Sequence, residues 1–432
     1  MRLRGVIREF SWVVTGQAVA AVGSLLGVRL LTSVLGPSAY GELGLGMTVV
    51  LLTQQVVFGP LCSATLRSFA PAAEGKRLGS FLAASRLLFR SAAGALTGII
   101  ALLGVGLVLS GHAKWLPLLF MAGLLSVLSG NNSMLDGVQN AARQRTVVAW
   151  HQGIGQWLRF LLAVAAVVGI GASSTAAMLG YAMAAALVLG SQWVFFRRTI
   201  RPLAGDEPAF QQRDVREMAG KMWGYGWPFA AWGLFTWGQS ASDRWALQCF
   251  RTTSDVGLYQ ALYQLGYYPM MLFSGLFVQL VTPILFARAG DGSDSLRVDH
   301  TRRLINTMAG GLAGVTVLAV VAMFFLREPV FALLVAPEYR AVASFAPGMM
   351  LASGLFACGQ VASLNLFSSA ETRLLIAPKV LTAILGAALN YVGAWLWGIK
   401  GVVAGSVVFS MVYLVWVLCL ANARRGRRAP LA

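Results

Sequence analysis

Residues Arg29–Gly41 read RLLTSVLGPSAYG, and 215 residues later Arg244–Gly257 read RWALQCFRTTSDVG. Each stretch closes an apolar segment that carries an arginine and turns through a short polar loop. Each then opens a further apolar segment, with Gly-Glu-Leu-Gly in the first case and Gly-Leu-Tyr-Gln in the second. The separation is half the chain length, so the recurrence predicts a chain built twice, with Gly41 equivalent to Gly257. Repeats of apolar helices of this kind place a binding site between the halves.

The apolar character of both copies extends along the chain. Hydrophobic residues make up 57% of it and charged residues 12%, with a mean hydropathy of +0.69, which excludes a soluble domain with a wetted surface. A membrane-spanning helix needs roughly 20 apolar residues. Twelve stretches qualify, at about 10–34, 42–66, 88–110, 115–138, 147–170, 175–196, 222–249, 257–286, 304–326, 342–367, 374–397 and 401–421. The predicted class is therefore an all-α integral membrane protein with twelve transmembrane helices.

A net charge of +18 could point to nucleic acid, but its placement excludes that partner. Of the 34 lysines and arginines, 26 fall in alternate hydrophilic segments beginning with the N-terminal one, and 5 fall in the intervening segments. The other three, Arg29, Arg159 and Arg244, lie inside apolar stretches. The positive-inside rule then puts both termini of a multi-pass membrane protein in the cytoplasm. The basic segments are placed to meet anionic lipid headgroups. An odd number of helices would scramble the alternation.

Six helices per half is an even number, so the repeat is expected to be parallel, about an axis along the membrane normal. The charged stretch 197–221, with Pro202 and Pro208, reads as a cytoplasmic linker. It separates an N-terminal six-helix lobe (1–196) from a C-terminal six-helix lobe with a basic tail (222–432). The segment near 327–341 is the longest outer loop, too short for a catalytic domain. Cys62, Cys249, Cys358 and Cys419 lack metal-ligand spacing and read as small core residues. No phosphate-binding glycine loop or His-Glu-x-x-His stands in the sequence, so neither an enzyme nor a resident cofactor is expected.

Ionisable groups inside a bilayer cost several kcal/mol each and so point to function or to a buried partner. Gln152, Gln156 and Arg159 share a helix face at i, i+4, i+7 near the middle of the fifth helix. That face suits the wall of a water-filled cavity; the alternative is an arginine buried against a neighbouring carboxylate. Arg29 and Arg244 occupy matching positions near the outer ends of the first and seventh helices, where snorkelling is the alternative to substrate contact. Asp243, Asp136 and Glu42 are candidates for proton or sodium coupling, against plain salt-bridge or hydrogen-bond anchoring. As sequence neighbours Asp243 and Arg244 point about 100° apart on a helix, so each is expected to find another partner. Tyr259, Tyr263 and Tyr267 recur every four residues beside Gln260 and Gln264, a stripe suited either to sugar rings or to helix packing. Tyr225, Trp232, Gln239 and Asp243 form a polar and aromatic stripe on the seventh helix.

Leu-Thr-x-x-Leu-Gly-Pro-x-x-Tyr-Gly at Leu31–Gly41, Asp243-Arg244 followed by Gly257-Leu258-Tyr259, and Ala336-Pro337-Glu338-Tyr339 together resemble the polysaccharide flippases. These are the Wzx-type O-antigen and exopolysaccharide exporters of the multidrug/oligosaccharidyl-lipid/polysaccharide superfamily, and the resemblance covers essentially the whole chain. Ala336 departs from the pattern, since many relatives carry glycine there, and a changed turn is expected. The resemblance implies that an undecaprenyl-diphosphate-linked oligosaccharide is moved from the cytoplasmic to the periplasmic leaflet by alternating access. It also implies partnership with polysaccharide polymerase and glycosyltransferases. Arg29, Arg159 and Arg244 are then the candidates for diphosphate or acidic-sugar contact. A multidrug antiporter, a lipid II flippase and, from another class, a membrane-embedded glycosyltransferase or polymerase are the rival readings.

Overall fold

The computed structural model describes residues 21–200, 211–289, 295–368 and 372–428. The start of the first predicted helix, Pro202 and Pro208 of the linker, and the last four residues lie outside them. Every regular element among the described residues is helical, as a backbone without water to bond requires. In chain order these are α1 (Ala21–Val34), α2 (Pro37–Thr53), α3 (Gly59–Glu74), α4 (Leu78–Leu109), α5 (Leu116–Ala141), α6 (Arg145–Ile170) and α7 (Ser174–Thr199). There follow α8 (Gln212–Phe250), α9 (Thr253–Leu262), α10 (Tyr268–Ala289), α11 (Ser295–Leu334), α12 (Ala346–Ser368), α13 (Ile376–Trp397) and α14 (Ile399–Arg428). Single π-turns, Gln54–Phe58 and Tyr263–Tyr267, join α2 to α3 and α9 to α10, so each pair runs as one continuous rod.

Nine continuous stretches among the described residues are long and apolar enough to cross a membrane. α1, α8 and the α9–α10 rod coincide with the three remaining predicted spans. Side chains such as Leu109, Val168 and Phe325 are more than 70% exposed, a burial pattern that suits a hydrocarbon solvent.

The helix ends follow from local chemistry. Pro37 occupies the first turn of α2 after an extended Gly36. Thr252 and Asp255 cap α9 reciprocally, each side chain accepting from the other's backbone N–H. Ser173 accepts from Ala176 N at the start of α7. Gly41 and Gly257 each fall at the fifth residue of the helix that follows a two-residue link.

The chain divides into two compact units within α8, between Trp237 and Gly238. In the first, α5 packs against α2, α3, α4, α6 and α7; in the second, α12 packs against α10, α11 and α14. α6 and α7 meet where Gly180 abuts the backbone of Leu162 and Ala163, and α13 and α14 meet at Gly393 against Gly401. A side chain at either place would collide with backbone. Left-handed glycines, Gly171 and Gly398, turn the chain just before each of these helix pairs closes. Short 3₁₀ turns, Ala113–Trp115 and Pro337–Phe345, lead into α5 and α12.

Several expectations are corrected. α4 begins at Leu78, ten residues before the predicted 88, and the second predicted span continues to Glu74, because charged turns remain helical beyond the apolar stretch. The outer loop expected at 327–341 shrinks to Val335 and Ala336, since α11 runs to Leu334 with the Arg327 guanidinium 5.2 Å from the Phe324 ring. Ala336 is extended (φ −68°, ψ 160°), a conformation open to any residue, so the alanine requires no special turn. Only Cys358 is buried; Cys62 is half-buried, and Cys249 and Cys419 are exposed.

These element ends define a labelling experiment for the topology read from charge. In a protein freed of its four cysteines, single cysteines at the exposed Ser38, His112 and Ala172 are expected to react with an impermeant thiol reagent from outside. Those at the exposed Glu74, Thr146 and Gln211 are expected to react only after permeabilisation. Reversal at two positions would overturn the twelve-helix alternation.

Candidate functional site

The predicted site residues gather in separate assemblies, one group in each unit. In the second unit the C-terminal part of α8 brings Asp243 and Arg244 against the α9–α10 rod. Tyr259 Oη donates to Asp243 Oδ2 at 2.7 Å, and Arg244 Nε donates to Gln260 Oε1 at 2.7 Å. Arg244 Nη1 donates both to Ser240 O, one turn back at 2.8 Å, and to Asp243 Oδ1 at 3.0 Å. Each ion thus has another partner, as expected, but the two neighbours also pair with each other, against the expectation from their 100° separation. A four-atom arginine stem curls back along its own helix and offsets the 100° between the two Cβ directions.

The guanidinium also lies 4.3 Å from the Tyr263 ring centroid, and Tyr263 stacks on Tyr267 at 4.9 Å across the π-turn. Asp243 and Arg244 are buried, each side chain about 8% exposed, and Tyr259 is more deeply buried still. Both ions are thus surrounded by partners, the condition under which a buried pair offsets its desolvation. Ser242 on the same turn accepts from Asn390 Nδ2 at 3.0 Å, tying α8 to α13.

In the first unit the two candidate carboxylates have neutral hydrogen-bond donors. Asp136 on α5 accepts from Gln152 on α6 at 3.1 Å and from Gln192 on α7 at 2.5 Å. Beside it, His151 contacts Ser191 Oγ at 3.0 Å and Val147 O at 2.7 Å. Glu42 Oε2 at the start of α2 accepts from Ser174 Oγ at 2.6 Å. Such bonds anchor the helices to one another.

Arg159 is placed differently. It lies about 21 Å along α6, near the middle of that helix of 26 residues. Its guanidinium stands 4.1 Å from the Tyr181 ring centroid and 5.6 Å from that of Phe160, with Nη2 3.9 Å from Met47 Sδ. Its Nε is buried without a hydrogen-bond partner. Among the described residues no carboxylate pairs with Arg159, so the alternative of a buried salt bridge finds no support. Gln156 lies half-buried one turn earlier. Arg29 is half-buried on α1, whose Gly23 and Gly27 rest against Trp157 and Phe160 of α6.

The structure thus joins Asp243, Arg244, Tyr259 and Tyr263 into one cluster and Asp136 with Gln152 into another, while Arg159 stands on Tyr181. Tyr181, Met47, Gln192 and His151 were not singled out in the sequence. Each sits in an ordinary apolar stretch, and its role comes only from the helix opposite.

The family model described as "Polysaccharide biosynthesis protein" matches residues 6–288. No curated protein sequence matches significantly. Among solved structures the chain is similar to an inward-facing multidrug resistance MATE family transporter of the MOP superfamily. The TM-score is 0.72 at 14% identity, covering 96% of this chain and 100% of that one. It is likewise similar to the lipid II flippase MurJ in an inward closed conformation, with a TM-score of 0.71 at 11% identity, covering 96% and 87%. A mutant of the Vibrio cholerae MATE transporter VcmN gives 0.60 at 16% identity, covering 98% and 99%.

The second-unit cluster yields a stability prediction. Arg244→Ala leaves Asp243 buried and unpaired and is expected to cost about 3–5 kcal/mol, against about 1–2 kcal/mol for Tyr259→Phe, which removes one hydrogen bond. Thermal unfolding in detergent, with immunoblots of membrane abundance, measures both. Equal melting of Arg244→Ala and the parent would refute the bracing role.

Proposed function

The chain belongs to the polysaccharide biosynthesis protein family and has the fold of MOP-superfamily transporters, and from that premise we propose that it is a flippase for a lipid-linked oligosaccharide. It moves an undecaprenyl-diphosphate-linked glycan from the cytoplasmic to the periplasmic leaflet of the bacterial inner membrane, by exposing a binding site to one face and then the other. No covalent bond breaks in that step, so the chain needs cations and hydrated surface rather than catalytic groups. The glycan is delivered by glycosyltransferases on the inside and consumed by a polymerase outside. Asp136, Glu42 and Asp243 remain the candidates for proton or sodium coupling.

The observation that carries this reading is Arg159. A guanidinium midway along an apolar helix, with a buried N–H and no carboxylate partner among the described residues, is a cation reserved for an anion that arrives. A diphosphate or an acidic sugar fits it. A cationic drug does not, which weighs against the multidrug antiporter. Arg29 and Gln156, half-buried, are proposed to contribute to the same polar path, and Tyr263 to sugar contact.

We propose further that the chain has twelve spans in two six-helix lobes, 1–196 and 222–432, joined by 197–221 and related by a parallel repeat. Several recurrences support this. In each half a two-residue link precedes the second span, and that span contains a π-turn. The third span is mostly exposed, a 3₁₀ turn opens the fourth, and the fourth packs against most of the others. A left-handed glycine and a close backbone contact join the fifth span to the sixth.

Arg159→Ala is expected to abolish surface-glycan export at normal protein abundance, with lipid-linked glycan accumulating on the cytoplasmic face. Arg159→Lys should retain part of the activity, since charge matters more than a bidentate fork at a mobile headgroup. Glycan blots paired with immunoblots read both. Normal export by a well-expressed Arg159→Ala protein would overturn the assignment.

A further inference from the structure

A groove of ≈ 580 Å³ lies in the first unit between the C-terminal half of α3 and the N-terminal half of α8. The two helices run antiparallel and touch at several points beside it. Gly233 abuts Gln55 O so closely that no Cβ would fit, and a Cβ on Gly226 would stand 3.1 Å from Pro60 O. Trp237 Nε1 donates to Thr48 O at 2.8 Å. Leu66, Arg67 and Glu74 line the groove from α3, and Tyr225 and Phe229 line it from α8.

Its walls are chemically mixed. Arg67 and Glu74 are exposed, and neither pairs with a described residue. Tyr225 and Phe229 form a tilted aromatic pair with centroids 5.4 Å apart, 43% and 44% exposed. One side of the groove therefore offers a free cation and a carboxylate, the other an uncovered aromatic face with a hydroxyl.

Depth narrows the choice of ligand. Arg67 is thirty residues along the continuous rod from Pro37, about 45 Å, whereas the hydrocarbon core is about 30 Å thick and the bilayer with its headgroups about 40–45 Å. Phe229 lies 21 residues, about 32 Å, from the opposite end of α8 at Phe250. In the proposed topology the aromatic pair stands at the cytoplasmic edge of the hydrocarbon and Arg67 at the level of lipid phosphates. A guanidinium fork at that depth suits a phosphate, and the rings beside it suit a pyranose, whose hydroxyls Glu74 and Tyr225 can bond.

We infer that the α3–α8 groove is a cytoplasmic reception site for the sugar phosphate headgroup of a membrane-anchored glycolipid, with Arg67 holding phosphate and Tyr225 and Phe229 stacking on the adjoining sugar. This rests on the flippase reading and adds a first station, apart from Arg159. An ordinary anionic phospholipid could engage Arg67 but has no sugar ring for the aromatic pair, so the two sources are separable.

The test places a photo-reactive benzoylphenylalanine at Ala70, which lines the groove, in the full-length protein held in phosphatidylcholine nanodiscs. The probes are undecaprenyl-diphosphoryl-N-acetylglucosamine, bare undecaprenyl diphosphate and phosphatidylglycerol, with total binding followed by native mass spectrometry. The glycosylated probe is expected to crosslink and to be displaced by its own excess but not by phosphatidylglycerol. Arg67→Ala should cut crosslinking of both undecaprenyl probes about tenfold, the loss of one charged contact. The double variant Tyr225→Ala/Phe229→Ala should cut it for the glycosylated probe alone. Equal displacement by phosphatidylglycerol would make the groove a general lipid contact and overturn the inference. Crosslinking unchanged in the variants, or absent while total binding persists, would overturn it and leave the flippase reading standing. Failure of the parent protein to bind either undecaprenyl probe would overturn both.

Discussion

Hydrocarbon offers no hydrogen bonds, and the arrangement of this chain follows from that constraint. Backbone groups are satisfied within helices, links are cut to two residues at Leu35–Gly36 and Arg251–Thr252, and ends are closed by Pro37, the Thr252–Asp255 box and Ser173. Several side chains obey the same rule. Asn390 meets Ser242, Asn365 Nδ2 donates to Asn306 at 3.1 Å, and Asp136 is held by two glutamines. Arg251, just past the end of α8, donates to the carbonyls of Ala394 and Trp395 in the last turn of α13.

With little hydrophobic force between helices in lipid, close packing has to hold them together, and small residues permit it. Gly180, Gly393 and Gly401 let backbones meet directly, while Gly23 and Gly27 admit the rings of Trp157 and Phe160. The π-turns at Gln54–Phe58 and Tyr263–Tyr267 belong to the same logic, since an extra residue in the turn re-aims the side chains around it. In one the backbone of Gln55 is open to Gly233; in the other Tyr263 is set under the Arg244 guanidinium.

Much of the fold was legible because apolar runs of membrane length are a strong signal, and the helical segments fall where those runs fall. The ends were not, because hydropathy stops where charge begins while the helix does not: the turns that hold Arg67 and Glu74, and those that hold Arg86 and Arg90, are helical. The internal recurrence was visible at Arg29–Gly41 and Arg244–Gly257, and Gly41 and Gly257 take the same helical position. In the site, the unusual residues could be picked out but their partners could not. Gln192 holds Asp136 and Tyr181 carries Arg159, yet glutamine and tyrosine at those places have no periodicity or motif to mark them.

The contrast between Arg244 and Arg159 shows what that missing information decides. Both are arginines in apolar helices, equivalent as far as composition is concerned. Arg244 has a carboxylate, an amide oxygen, a backbone carbonyl and a ring face around it, so its charge is neutralised and its donors are used. Such a group braces a helix pair and has little left to offer a ligand. The described partners of Arg159 are two ring faces, the Tyr181 hydroxyl and a thioether. A cation–π contact contributes about 0.5–2 kcal/mol, less than the several kcal/mol that withdrawing an ion from water costs. The deficit has to be met by water or by an anion, and either requires an open polar path to the middle of α6. A chain that moves an anionic headgroup through a bilayer needs that path, whereas a chain built only for stability would have closed it with a carboxylate, as at Asp243.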